Sequence, residues 1–143
     1  CRYLGIDKSA AMLSSFRRNV PEAECKLLDL ADIERVGGVW DIVFSWGAIC
    51  HLSVDKQAVT LTGAGKLLDT GGRLMFTGGE EPGQCKGSVG PYVDVIDHYS
   101  MGKEGYTNLL ARNRMTLVWA EVREAGNFTY LFEKLPDKAI DGV

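Results

Sequence analysis

The sequence has no C-x-x-C pair among its four cysteines, Cys1, Cys25, Cys50 and Cys85. Zinc sites need tightly paired ligands, and only His51 and His98 could join these cysteines. The pattern therefore predicts no metal site and reads as reduced thiols of a cytoplasmic protein, with a metal or a structural disulfide as the minority reading. There is also no basic block or stripe: 16 basic residues stand against 19 acidic ones, a net charge of −3. That disfavours a protein that binds the nucleic-acid backbone. The longest apolar stretches are only strand length, so no transmembrane helix is predicted. No secretory signal, internal repeat or low-complexity linker is visible. What remains is 143 residues, 45% hydrophobic and 24% charged, enough for one globular domain with one core.

Apolar strand patterns alternate with helical ones. Tyr3 to Ile6 reads as a strand ending on Asp7. Ser9 can cap a helix carrying Ala10, Met12, Leu13 and Phe16, which Arg17-Arg18-Asn19 ends. Glu24 to Leu28 is a second strand leading into Asp29-Leu30, and Trp40 to Ser45 ("WDIVFS") a third. Leu52 to Leu68 reads as a helix with Val54, Ala58, Leu61 and Leu68 on one face, stopped by Gly71-Gly72. "RLMFT" (Arg73 to Thr77) is a fourth strand, and Gly78 to Gly90 reads as a loop. Gly102 to Ala111 is a short helix. Met115 to Val122 and Phe128 to Glu133 read as antiparallel strands joined through Gly126-Asn127. This order predicts an α/β fold: a Rossmann-like, mostly parallel sheet with helices on both faces and a C-terminal antiparallel hairpin. Residues 1–135 form the predicted domain and 136–143 a loose tail.

In that order, "GIDKSAAML", "LLDLAD", "WDIVFSWGAICHLS", "LLDTGGRLMFT", "GPYVDVIDHYSMGKEGYTNLL" and "FTYLFEK" resemble the class I S-adenosylmethionine-dependent methyltransferases of small-molecule type. The resemblance runs from Tyr3 to about Lys134. Each motif is weak alone; their order and spacing are the specific part. The resemblance implies that Asp7 holds the ribose hydroxyls of S-adenosylmethionine. It also implies that Asp29 accepts from the adenine amine and that the Leu30 N–H donates to the ring. Lys8, Ala11 and Met12 would flank the adenosine, and Ser45 and Trp46 would line the methionine end. Open α/β sheets bind ligands beyond the carboxyl ends of their strands, where Asp7, Asp29 and Ser45-Trp46 fall. Asp7 also reads as a surface acid or cap, and Asp29 as a cap opening a turn.

Methyl transfer needs a base only when the acceptor must lose a proton. His51, just past the third strand, is the first candidate, and His98 with Tyr99 the second. The more frequent reading of His51 is a capping or packed histidine, and of His98 a loop histidine. Other absences narrow the acceptor. The Asp/Asn-Pro-Pro-Tyr/Phe motif of nucleic-acid amino methyltransferases is replaced by "SWGA", and no Pro-Cys nucleophile occurs. Ser45 stands where metal-dependent catechol enzymes would have an acid. Phe128 occupies a position where relatives often carry histidine. A small-molecule acceptor is left by elimination.

The largest absence lies at the start. In the family, a first strand and glycine-rich loop precede the acid-ended strand, but only Cys1 and Arg2 precede Tyr3 here. The expectation is a segment of a longer chain, or else a shortened protein that closes the gap another way. By themselves, the 143 residues are expected to bind S-adenosylmethionine weakly or not at all. The edges of "YLGI" and "DIVFS" would stand open, which favours a homodimer. The competing function is a non-catalytic, truncated methyltransferase-like protein with an incomplete cofactor pocket. A nicotinamide dehydrogenase is a poorer third reading.

Overall fold

The computed structural model describes residues 2–88, 95–122 and 127–137. Strand β1 (Leu4–Asp7) pairs in parallel with β2 (Glu24–Leu27), Asp7 standing opposite Leu27. Helix α1 (Ala10–Asn19) makes the crossover. The Ser9 hydroxyl accepts from the Met12 N–H at 3.4 Å, the cap predicted above. Gly5 lets α1 sit directly on β1, since a Cβ there would come within 2.6 Å of the Phe16 ring. A 3₁₀ segment, Leu30–Val36, follows β2 and packs on α2 (Val54–Leu67).

The larger sheet has the order β3-β4-β8-β7. Strand β3 (Trp40–Ser45) lies parallel to β4 (Leu68–Gly79). Strands β7 (Met115–Val122) and β8 (Asn127–Lys134) pair antiparallel, as predicted, and β8 inserts antiparallel beside β4. Helix α3 (Gly102–Arg112) packs against β7. The core lies over the middle of this sheet, where Leu74, Phe76, Tyr130 and Phe132 meet Leu61, Tyr106 and Leu110.

Three details differ from the sequence reading. The stretch expected as a loop from Gly78 is ladder: Gly78 and Gly79 finish β4, and β5 (Pro82–Ser88) pairs antiparallel with β6 (Val95–Met101). Backbone pairing needs no side chains, so glycine-rich composition hid a hairpin. Gly126, the expected turn residue, lies outside the described residues, as does the tail from 138. The buried face of α2 carries Gln57, Thr60, Leu61, Ala64 and Leu67, whereas Val54 is 41% exposed. Finally, α2 ends at Leu67 and the chain is already extended at Leu68, so Gly71-Gly72 lie inside β4 and do not stop the helix.

The predicted parallel pairing is seen in β1–β2 and β3–β4, but these belong to separate sheets. As the sequence suggested, the outer edges of β1 and β3 pair with no other strand among the described residues. Ile42 and Phe44 on β3 are 64% and 56% exposed. Side chains help bridge the gap: the Arg2 guanidinium lies 4.3 Å from the centre of the Trp40 ring, and Ile6 packs on the core. No helix among the described residues is long and apolar enough to cross a membrane.

Gly102 joins the β5–β6 hairpin to α3 at φ +71°, and a Cβ there would come within 2.7 Å of the Pro82 nitrogen. Alanine at such a φ is strained, and here it would also meet backbone. Gly102→Ala is expected to lose more than about 1 kcal/mol. Thermal denaturation checks this, and an unchanged midpoint would show that the hairpin shifts freely.

Candidate functional site

The acids predicted for a nucleoside stand at the carboxyl ends of β1 and β2, adjacent parallel strands. Each also does local work. Asp7 Oδ1 accepts from the Ser9 N–H at 2.7 Å, and Asp29 Oδ1 accepts from the Ala31 N–H at 2.9 Å as the cap of the 3₁₀ segment. The capping role weighed for Asp29 is therefore seen, whereas Asp7 closes a turn onto Ser9, which is itself the cap of α1; in each case one oxygen is used. Oδ2 of each accepts no described hydrogen bond. The Leu30 N–H stands at the first position of the 3₁₀ segment, where no partner exists within the helix. The Leu30 carbonyl accepts from the Thr60 hydroxyl at 3.1 Å, fixing this turn to α2. Lys8 and Met12 are exposed beside Asp7, Met12 to 60%.

Strand β3 ends on Ser45, whose hydroxyl oxygen is buried with no hydrogen-bond partner. Trp46 follows, half exposed, with its ring stacked on Phe44 at 6.1 Å. The next turn is tied down where the Gly47 N–H donates to the Thr77 hydroxyl at 2.8 Å.

The candidate histidines come together from distant parts of the chain. His51 ends a 3₁₀ turn, Ile49–His51, and His98 lies on β6. Their rings meet edge to face, 4.7 Å between centroids. His51 is exposed, while His98 Nε2 is buried without a partner. Cys85 stands across the ladder from His98, and Cys50 precedes His51. Burial pushes the Cys50 thiol up, keeping it protonated and poorly nucleophilic at neutral pH. Cys25, Cys50 and Cys85 are all free thiols. Among the described residues no group of three or more His, Cys, Asp or Glu side chains could hold a metal.

Tyr99 is not brought to the histidines. Neighbouring residues on a strand face opposite ways, and the Tyr99 hydroxyl lies 3.4 Å from Gln84 Nε2. Sequence reasoning missed Gln57 and the role of Tyr106. Gln57 is fully buried, and its Nε2 donates to the Leu52 carbonyl at 2.9 Å and the Tyr99 carbonyl at 2.8 Å. Its Oε1 accepts from the Tyr106 hydroxyl at 2.8 Å. Burial pushes the Tyr106 phenol up, so it stays a donor. The available signal was a glutamine four residues before Leu61 on an apolar helix face. A surface depression lined by Glu34, Ala58, Val59 and Thr62 involves none of the candidate site residues.

No protein-family model matches the sequence, and no curated protein matches it. Solved structures do match. One is an S-adenosylmethionine-dependent methyltransferase from Methanosarcina mazei, with TM-score 0.74, 12% identity, and 94% of this chain and 82% of that one covered. An amino pentose methyltransferase from Micromonospora echinaspora, involved in calicheamicin biosynthesis and solved with S-adenosylmethionine, gives 0.74 at 14% identity, covering 93% and 74%. Magnesium protoporphyrin IX methyltransferase from Synechocystis, with S-adenosylhomocysteine bound, gives 0.73 at 13% identity, covering 94% and 64%. The likeness shows that this chain has the S-adenosylmethionine-dependent methyltransferase fold, over part of the length of each of these proteins.

Proposed function

We propose that this chain carries the adenosine-binding and acceptor-facing parts of a methyltransferase that moves a methyl group from S-adenosylmethionine to a small molecule. One observation carries the reading: in this fold, Asp7 and Asp29 end adjacent parallel strands, each with a carboxylate oxygen to spare. The residues fit the group. Asp7 Oδ2 can accept from ribose hydroxyls in a charge-assisted contact, and Asp29 Oδ2 from an adenine amine. The Leu30 N–H can donate to the adenine ring, with Lys8 and Met12 alongside. The unpartnered Ser45 hydroxyl and Trp46 line the next part of the site. When bound, the cofactor supplies a sulfonium methyl already activated for in-line displacement, so the protein's task is positioning.

His51 takes the proton of an acceptor O–H or N–H, with His98 packed behind it. Tyr99 can contact the acceptor only from the other face of the hairpin. The absence of a basic stripe in the sequence fits a small-molecule acceptor better than a nucleic acid. Free thiols fit a cytoplasmic setting. The open edges of β1 and β3 support self-association into a homodimer.

Calorimetric titration of the 143-residue chain with S-adenosylmethionine, S-adenosylhomocysteine and adenosine tests the reading, with light scattering for mass. All three are expected to bind at one site, weaker than micromolar and with similar affinity, because the contacts identified are to the adenosine. A mass above the monomer's is also expected. Absence of binding by all three at millimolar concentration would sink the proposal. Micromolar binding of S-adenosylmethionine alone would show that the methionine end is gripped as well.

A further inference from the structure

We infer that Gln57 is the positioning residue of the histidine pair: its one amide group sets where His51 and His98 stand relative to each other. The peptide carbonyls it holds are those of Leu52 and Tyr99, each the residue immediately after one of the histidines. These carbonyls belong to elements 47 positions apart in sequence, the turn before α2 and strand β6. Carbonyl oxygens can only accept, so the amide nitrogen must face both of them. That leaves Oε1 for Tyr106, a donor supplied by α3. Every donor and acceptor of the Gln57 side chain that the site can satisfy is thereby used in a fully buried position. A buried network that is complete in this way rigidifies what it joins.

The neighbouring contacts act in the same direction. Ser100 Oγ donates to the Gly79 carbonyl at 3.1 Å and accepts from the Gly102 N–H at 2.9 Å, pinning the end of β6. Gly78 lets Tyr106 approach β4, since a Cβ there would lie 2.9 Å from the Tyr106 hydroxyl. The hairpin is therefore fixed at its base, and Gln57 sets how the His98 segment meets the His51 turn. His98 then limits the rotation of the exposed His51 ring by edge-to-face packing. None of the Gln57 hydrogen bonds goes to an imidazole, so it acts through the two backbones. The use of His51 as a base rests on the methyl-transfer reading; the positioning of the pair does not.

NMR separates this role from general stabilisation. In the wild-type chain, cross-peaks between the His51 and His98 rings are expected. They should vanish in Gln57→Met, which keeps length and loses both donors. They should persist in Thr60→Val, which removes another buried hydrogen bond from the same helix. Cross-peaks that survive in Gln57→Met, or that vanish in both variants, would overturn the inference. If Gln57→Met does not fold, the wild type still decides. The sequence has only two glutamines, Gln57 and exposed Gln84. The side-chain amide protons of Gln57 should exchange more than about tenfold slower than those of Gln84, and equal rates would overturn the inference. Cofactor titration of the wild type judges the methyl-transfer reading independently.

Discussion

Phe76→Ala is expected to remove about 3–5 kcal/mol of folding free energy. Phe76 lies mid-strand in β4, between β3 and β8, with no exposed surface. Its ring meets Tyr106 edge-on at 5.1 Å and stacks on Tyr130 at 5.3 Å and Phe132 at 6.1 Å. Truncation loses the transfer free energy of the ring and leaves a void walled by three other aromatic rings. Those rings are held by the β4–β8 ladder and by α3, so collapse into the void is restricted. A small domain has only about 5–15 kcal/mol in total, and this one has an open sheet. Urea denaturation followed by circular dichroism should show the midpoint falling to a low concentration or no folded baseline at all. A loss under about 1 kcal/mol would show that the aromatic cluster repacks.

Asp7→Ala should lower S-adenosylmethionine affinity by about tenfold to a hundredfold in any polypeptide that contains this segment and binds the cofactor. That range corresponds to the roughly 1.5–3 kcal/mol typical of hydrogen bonds to a charged acceptor. Asp7 also accepts from the Ser9 N–H, so alanine loosens the entry to α1. Asp7→Asn separates the two effects. Its side-chain oxygen can still accept from Ser9, while the charge and one acceptor oxygen are lost. An intermediate affinity with unchanged helix content assigns the loss to the ligand. Equal affinity in all three proteins would make Asp7 only a turn-closing surface acid.

Elements whose side chains bury are legible in the sequence. "DIVFS", "RLMFT", "MTLVWAEV" and "FTYLFE" are strands, and the last two pair antiparallel. The hairpin of β5 and β6 is not legible. Pro82, Gly83 and Gly87 read as loop, yet the segment pairs because Ser100, Gly102 and Tyr106 hold its base against β4. Apolarity puts Val54 on the expected buried face of α2, and polarity hides Gln57. The structure reverses the two, since three partners from other elements complete the amide. No helical period reports a partner 42 or 49 positions away. Within the site, Asp7 and Asp29 are legible because strand ends mark them. So is the local turn bond of each, which leaves the second carboxylate oxygen for the ligand role proposed above. The meeting of His51 with His98 depends on the unpredicted hairpin, and no local pattern reports it.

The gap between β1 and β3 also bears on how the protein breathes. Among the described residues backbone ladders join β1 only to β2, so opening the β1–α1–β2 unit ruptures no inter-strand hydrogen bond of the larger sheet. Local contacts build that unit, and the side chains of Arg2 and Ile6 help moor it. Its amide protons are expected to exchange through a partial opening below the free energy of global unfolding, which hydrogen exchange would check. Asp7 rides on this unit, and Asp29 stands where it joins the 3₁₀ segment fixed to α2. A nucleoside held by both acids would therefore have to quiet that motion as it binds, and part of the intrinsic affinity of the contacts would be spent in doing so.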